Sequence, residues 1–337
     1  MSGLTGRIVR DAAELEALVP GWWDLWRRCP AATPFQSPAW LVAWWRQFAP
    51  GDLVTMAVEL GDALVGLAPF YREEGLSGRR LLPLGISVSD YHDLLLAPEH
   101  VESAWEVLVE LARQEPGWDR WEFDELMLGA TALALPCPSK WHQDLSGQSA
   151  CPTLVFEPGE LANSLPKTKR RKLNMARNRA ARRNSVILRQ ADASGVDEAL
   201  GHLFRLHRSR WKSRGEAGVL ADDRVRDFHR AAAQDLAEAG LLRLYTLAFD
   251  GQVVAAYYGF HHRQRAYAYL SGFDPAYEFE SPGVLVMAHA MDEALQAGAR
   301  EFHLLRGQEP YKYGWGAGDR WNQRRSFRRG GAHHVAA

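Results

Sequence analysis

The stretch Leu242-Arg243-Leu244-Tyr245-Thr246-Leu247-Ala248-Phe249-Asp250-Gly251-Gln252-Val253-Val254-Ala255-Ala256-Tyr257-Tyr258-Gly259-Phe260 reads as two strands folded about Asp250-Gly251. Apolar and aromatic residues dominate both arms. An Asp-Gly pair between such runs is a strong hairpin signal, because the tight turn needs positive φ at its centre. Upstream, apolar spacing predicts helices over 197–211 and 224–239. Downstream, a strand is expected over 266–271, an amphipathic helix over 282–297 and a last strand over 301–305.

The first half carries the same order. Helices are expected over 22–28 and 38–48, then strands over 54–58 and 64–70 about Gly61-Asp62, a strand over 80–84, a helix over 101–113 and a strand over 121–123. The two turns lie about 190 residues apart. A tandem duplication of one mixed α/β unit is the natural reading, with domains over 1–160 and 196–337 and a basic helical segment, 161–195, between them. Pro152 to Pro166 reads as a connector.

Composition fits this. The chain has 337 residues, 47% hydrophobic and 24% charged, enough for two cores without disulfides or metals. Its net charge of −1 hides an asymmetry: residues 1–160 hold 11 Lys+Arg against 23 Asp+Glu, and the remainder 29 against 18. There is no run of apolar residues long enough to span a membrane, and Met1 to Arg7 lacks the apolar core of a signal peptide, so a cytoplasmic location is expected. Cys29, Cys137 and Cys151 each adjoin a proline in expected loops and lack metal-ligand spacing, which argues against zinc and disulfides. Nucleotide-binding loops, the Gly-x-Ser-x-Gly elbow and His-Glu-x-x-His are absent.

Four segments carry candidate chemistry. Ser281-Pro282-Gly283-Val284 opens a helix after a strand, with Ser281 expected as N-cap; the N–H groups of Gly283 and Val284 would hold a phosphate, or the segment simply caps the helix. The run from Lys167 to Arg189 holds ten basic residues, with no acid between Leu161 and Ala191. Nucleic acid, a phosphorylated carrier, an anionic membrane surface and the acidic first half are all open as its partner. In Ser89-Asp90-Tyr91-His92-Asp93, Asp90 and Asp93 would hold an amine and His92 would act as base, or the segment is a turn. In the loop from Leu304 to Gly316, Arg306 and Lys312 would clamp an anion, Glu309 act as base and Tyr311 as acid, unless the loop is only packing.

Three of these segments, Ser89 to Asp93, Ser281-Pro282-Gly283 and Leu305 to Lys312, together with Phe35-Gln36-Ser37-Pro38-Ala39-Trp40 and Leu206-His207-Arg208-Ser209-Arg210-Trp211 with Gly215, resemble the BioF2-like acetyltransferases. That CelD-type group of the GNAT superfamily is related to the FemAB peptidyltransferases. The resemblance runs from about residue 35 to 316. It implies tandem GNAT-like domains, each a mixed sheet flanked by helices, around a shared cleft. It also implies an acyl-CoA donor, held by Ser281, Gly283 and Val284 of the second domain. The acceptor would be an amine or hydroxyl of an envelope or polysaccharide precursor, contacted by Asp90, Tyr91, Asp93, Arg210, Trp211, Arg306 and Lys312. One departure stands out: where GNAT enzymes carry a Gln/Arg-x-x-Gly-x-Gly/Ala loop, this chain reads Glu278-Phe279-Glu280-Ser281-Pro282-Gly283, keeping only the last glycine.

The leading expectation is therefore an acyltransferase in which Glu309 or His92 takes a proton and Tyr311 returns one to the thiolate. Two rivals remain open at this stage. One is aminoacyl transfer from a charged tRNA bound at the basic run; the other is a non-catalytic scaffold for a polysaccharide-synthesising complex.

Overall fold

Two hairpins, each turning where glycine and aspartate are neighbours, sit in two separate compact units. The computed structural model describes residues 3–75, 78–212, 215 and 218–330, without the side chains of 210–212. The first unit comprises residues up to 149 together with those from 321 on; the second comprises 150–320.

In the first unit the hairpin Thr55–Leu60 with Ala63–Ala68 is flanked by Leu4–Val9 and Leu95–Leu96, all antiparallel. The strand expected over 64–70 is two strands. Pro69, which has no N–H to donate, separates Ala63–Ala68 from Phe70–Gly75. The latter pairs with Asp52–Leu53 and Gly78–Pro83. Gly78–Pro83 then runs parallel to Arg120–Leu126, the connection passing through helix Val101–Gln114. Arg120–Leu126 takes Gln323 to Phe327 on its other side, antiparallel. Helices Val19–Arg28 and Pro38–Phe48 bury Trp22, Trp26, Trp40 and Trp44, and Trp121 stacks on Trp105 at 5.5 Å.

The second unit repeats this logic. Val186–Gln190, Leu242–Phe249, Gln252–His262 and Arg265–Phe273 form an antiparallel series, and Glu301–His303 joins parallel to the last of them. Helix Pro282–Gln296 makes the crossover, and Thr153 to Val155 completes the sheet antiparallel to Glu301–His303. Tyr245, Leu247 and Phe249 share a core with Leu173 and Ala176 of helix Lys167–Arg183 and with Val286 and Met291 of helix Pro282–Gln296. On alternate positions Thr246 and Ala248 face Ala199 and His202 of helix Val196–Lys212. That helix approaches so closely that a Cβ at Gly272 would lie 2.7 Å from the backbone nitrogen of His207. Helix Asp223–Glu238 packs beside it.

Two mixed α/β units with the expected hairpins are thus present. The expected connector is more structured than its prolines suggest: residues 152–155 belong to strand Trp141–Val155, which also takes Cys151 out of a loop, and Leu161–Ser164 is a short helix. The basic run is a helix only to Arg183, after which Val186–Gln190 is an edge strand.

Candidate functional site

The second unit's sheet opens at one place. Arg265, Ala266 and Tyr267 pair in parallel with Glu301, Phe302 and His303, and there the pairing stops. The first strand continues to Phe273, while the other chain turns away as the Leu304 N–H donates to the Pro152 carbonyl and Leu305 takes a φ of 59°. At the fork His303 is buried, its ring 5.0 Å from Tyr267 and its Nε2 3.1 Å from Glu301 Oε2. Arg320 lies 2.8 Å from the other Glu301 oxygen. His303 and Arg320 together hold Glu301 well below the usual carboxylate range. For His303 itself burial outweighs the Glu301 contact and lowers its pKa.

Helix Pro282–Gln296 begins at the open end of this fork. Phe273, the last residue of the longer strand, lies so close that a Cβ on Gly283 would stand 3.0 Å from its ring. Ser281 is not the N-cap the sequence led us to expect. It adopts left-handed φ and ψ of 57° and 52°, and its hydroxyl donates back to the Glu278 carbonyl rather than accepting from the helix. The Val284 N–H is also engaged, donating to the Ser281 carbonyl at 3.0 Å. Gly283 therefore remains the donor candidate of the first turn. The nearby Glu280 carboxylate is buried and paired with Arg183 at 2.8 Å, which offsets its repulsion of an anionic ligand.

Beyond the fork, Lys312 organises the loop. Its buried ammonium donates to the carbonyls of Leu305, Arg306 and Gly307 at 3.0, 2.6 and 3.1 Å and pairs with Glu309 at 2.9 Å. With those partners it is a loop-closing cation rather than the expected anion clamp. Glu309 is consequently held by Lys312, half-exposed; Tyr311 is 45% exposed, and Arg306 is half-buried. Trp315, buried near the end of this loop, carries Lys169 Nζ over its ring at 3.4 Å. Burial there brings the lysine down to about 8.

The basic helix is sorted by face. Leu173, Ala176 and Ala180 point into the core. Along its flanks Arg177 pairs with Asp292 at 3.1 Å, Arg183 with Glu280, and Arg179 stacks on Phe279 at 4.5 Å. These cations answer acids and an aromatic ring of their own unit. Lys167, Arg170, Arg171, Lys172 and Arg182 are exposed and have no ion pair among the described residues.

In the first unit, Ser89 to Asp93 is a hydrogen-bonded knot, buried except for the half-buried Asp90. Ser89 accepts from the Trp40 indole, the Tyr91 carbonyl accepts from Gln36 Nε2 at 2.8 Å, and the Asp90 carbonyl accepts from Asn322. His92 donates its backbone N–H to the Glu125 carbonyl and sets Nδ1 3.2 Å from the Asp124 carbonyl. Asp93 accepts from the backbone of Leu94, Thr131 and Ala132, so it is engaged in capping a short helix and not available to an amine. Burial nevertheless pushes its carboxyl up to about 6. Asp90, Tyr91, His92 and Asp93 thus belong to the first unit, and Ser281, Gly283, Val284, Arg306, Glu309, Tyr311 and Lys312 to the second. The side chains of Arg210 and Trp211 lie outside the described residues.

Residues 167–313 match the family described as acetyltransferase (GNAT) domain. The second unit carries a GNAT-type acetyltransferase domain. No curated protein sequence matches the chain. Among solved structures, the crystal structure of FemX is similar over 95% of this chain and 96% of its own, at 11% identity and a TM-score of 0.62. The C-terminal domain of a putative lysylphosphatidylglycerol synthetase from Agrobacterium fabrum is similar over 94% and 92%, at 14% identity and a TM-score of 0.58. L-PGS from Bacillus licheniformis is similar over 96% and 93%, at 11% identity and a TM-score of 0.54. At these identities the likeness is one of fold. The GNAT domain type is one of acyltransferases. Among the described residues no cluster of His, Cys, Asp and Glu could hold a metal ion, and no helix is long and apolar enough to cross a membrane.

Sequence reading passed over two members of the GNAT-type domain's fork, His303 and Glu301. Glu301-Phe302-His303 reads as an ordinary short strand, and only its position where parallel pairing ends marks it out. Trp315 and Lys169 were likewise invisible as a pair, being far apart in the chain.

Proposed function

We propose that the GNAT-type domain moves an acyl group from an acyl-CoA, acetyl-CoA first among them, to an amine or hydroxyl of a cell-envelope or polysaccharide precursor. The parting of strands Arg265–Phe273 and Glu301–His303 beside the start of helix Pro282–Gln296 carries this reading. An extended donor with amides along its length can lie against a strand edge as an added strand would. Its phosphates would then meet the Gly283 N–H and the positive end of the helix. Glycine at 283 also keeps the Phe273 ring in place at the mouth.

The reaction needs little more than positioning and proton movement. The acceptor amine attacks the thioester carbonyl, a C–N bond forms, the C–S bond breaks, and the amine's proton leaves as the thiolate gains one. Glu309 is the carboxylate on the loop beyond the fork and Tyr311, 45% exposed, its tyrosine, and we assign them the base and acid roles.

Thermal shift against acetyl-CoA, longer acyl-CoAs, free CoA and aminoacyl-tRNA tests the donor. A ligand at a hundred times its Kd stabilises by about 2.7 kcal/mol. Stabilisation by acyl-CoA that Gly283→Asp abolishes is the expected result. Stabilisation by aminoacyl-tRNA alone would transfer the assignment to aminoacyl transfer, and none with any donor would leave a scaffold.

A further inference from the structure

The outward face of helix Lys167–Arg183 is the strongest charged feature that acyl transfer leaves unused. Lys167, Arg171, Asn174, Asn178 and Arg182 follow one another at steps of three or four, the spacing of a single helical face about 25 Å long, and all are exposed. No acid interrupts it. Arg177, Arg183 and Arg179 on the flanks are held by Asp292, Glu280 and Phe279, whereas Lys167, Arg170, Arg171, Lys172 and Arg182 present their charge to solvent.

Exposed apolar side chains lie beside these charges. Met175 is 45% exposed on the helix and Phe279 56% exposed beneath Arg179 and Arg183. The edge strand Val186–Gln190 follows directly. Its Val186 and Leu188 pair across to Phe249 and Leu247, which lie in the core under the basic helix, so both side chains leave the sheet on that helix's face. Both are more than a third exposed.

We propose that this surface docks on an anionic lipid bilayer. These exposed cations meet headgroup phosphates, while Phe279, Val186, Leu188 and Met175 enter the boundary between headgroups and acyl chains. Polybasic segments are drawn to anionic leaflets, and shallow apolar insertion adds the non-electrostatic part of such binding. A nucleic acid would use the same cations through its phosphates but gain nothing from two exposed aliphatic residues on a strand. The aliphatic residues favour the lipid surface.

Co-sedimentation of the full chain with vesicles tests the proposal. Phosphatidylcholine vesicles with and without phosphatidylglycerol are compared at low and high salt, with tRNA binding measured in parallel. Two variants are used: Arg170→Gln/Arg171→Gln/Arg182→Gln removes charge, and Val186→Thr/Leu188→Thr removes aliphatic surface while keeping strand preference. Binding that needs phosphatidylglycerol, weakens tenfold or more in the charge variant and severalfold in the aliphatic variant, with both variants melting as wild type, is expected. No preference for phosphatidylglycerol overturns it. So does vesicle binding that the aliphatic change leaves untouched while the charge change weakens tRNA equally, which would mark a nucleic-acid face. A variant with a lowered melting temperature is replaced by single substitutions at Arg171 and Val186, read in the same way.

Discussion

The indole N–H of Trp40 donates to the hydroxyl oxygen of Ser89 at 2.9 Å, both residues being fully buried. With Gln36 Nε2 donating to the Tyr91 carbonyl and Phe35 edge-on to Tyr91 at 6.0 Å, it joins two segments that look like separate motifs in the sequence. They are the two sides of one contact. Trp40→Phe retains the ring packing but removes the donor, so the protein should lose about 1–3 kcal/mol in urea denaturation. A change within error would mean that Ser89 finds another donor.

Lys312 closes its loop by donating to three carbonyls. Lys312→Met fits the volume but leaves these oxygens and Glu309 without their cation. A loss of about 3 kcal/mol is expected, together with faster proteolysis between Leu305 and Gly316. Unaltered protease resistance would show that the loop is held by other contacts.

Asp93 sits in a pocket whose burial raises its carboxyl to about 6 from an ordinary value near 4. Its stabilising contribution is therefore complete below about pH 4 and declines as pH rises through 6. The stability of wild type relative to Asp93→Asn should fall by on the order of 3 kcal/mol between pH 4 and pH 7. A flat difference across that range would show a carboxyl whose backbone donors fully offset its burial.

His229 has the opposite sign. Burial, with His207 nearby, lowers it to about 3, so the folded chain holds it neutral. Stability tied to it is complete above about pH 6.5 and is lost as pH falls toward 3, at up to about 1.4 kcal/mol per pH unit. His229→Gln should flatten that part of the acid denaturation profile, and a profile of unchanged slope would exclude His229 as its source.

At Gly283 even one methyl group meets the Phe273 ring. Gly283→Ala should cost about 1–3 kcal/mol through overpacking and weaken acyl-CoA binding as Phe273 shifts at the mouth of the fork. Calorimetry showing full donor affinity in a destabilised variant would separate the packing role of this glycine from any role in binding.

Much of the fold was legible because its decisive signals are local. Asp250-Gly251 and Gly61-Asp62 fix their hairpins, and Pro38 and Pro282 mark helix starts that the structure reproduces. Strands Trp141–Val155 and Gly318–Arg329 were not legible. They are largely polar, and the second buries Asn322 and Arg325, whose partners Glu125, Ala132 and Gln143 lie far away in sequence. At the candidate site, residue types pointed to the right loop but not to its roles. Lys312 looks like a free cation until the three carbonyls around it are known, and Ser281 looks like a cap until its left-handed backbone is seen.

The return of Gln323 to Phe327 to the side of Arg120–Leu126 bears on how the protein is made. Translation delivers residues up to 149 well before the strand that covers this edge, which leaves the ribosome only after all of residues 150–320. Until then the nascent first unit presents Arg120–Leu126 as an open edge, the kind of template that recruits foreign strands. A stop codon before residue 321 would leave the chain in that state permanently. Truncated products of this gene should accordingly be ready substrates for chaperones, even when every residue of the GNAT-type domain has been synthesised.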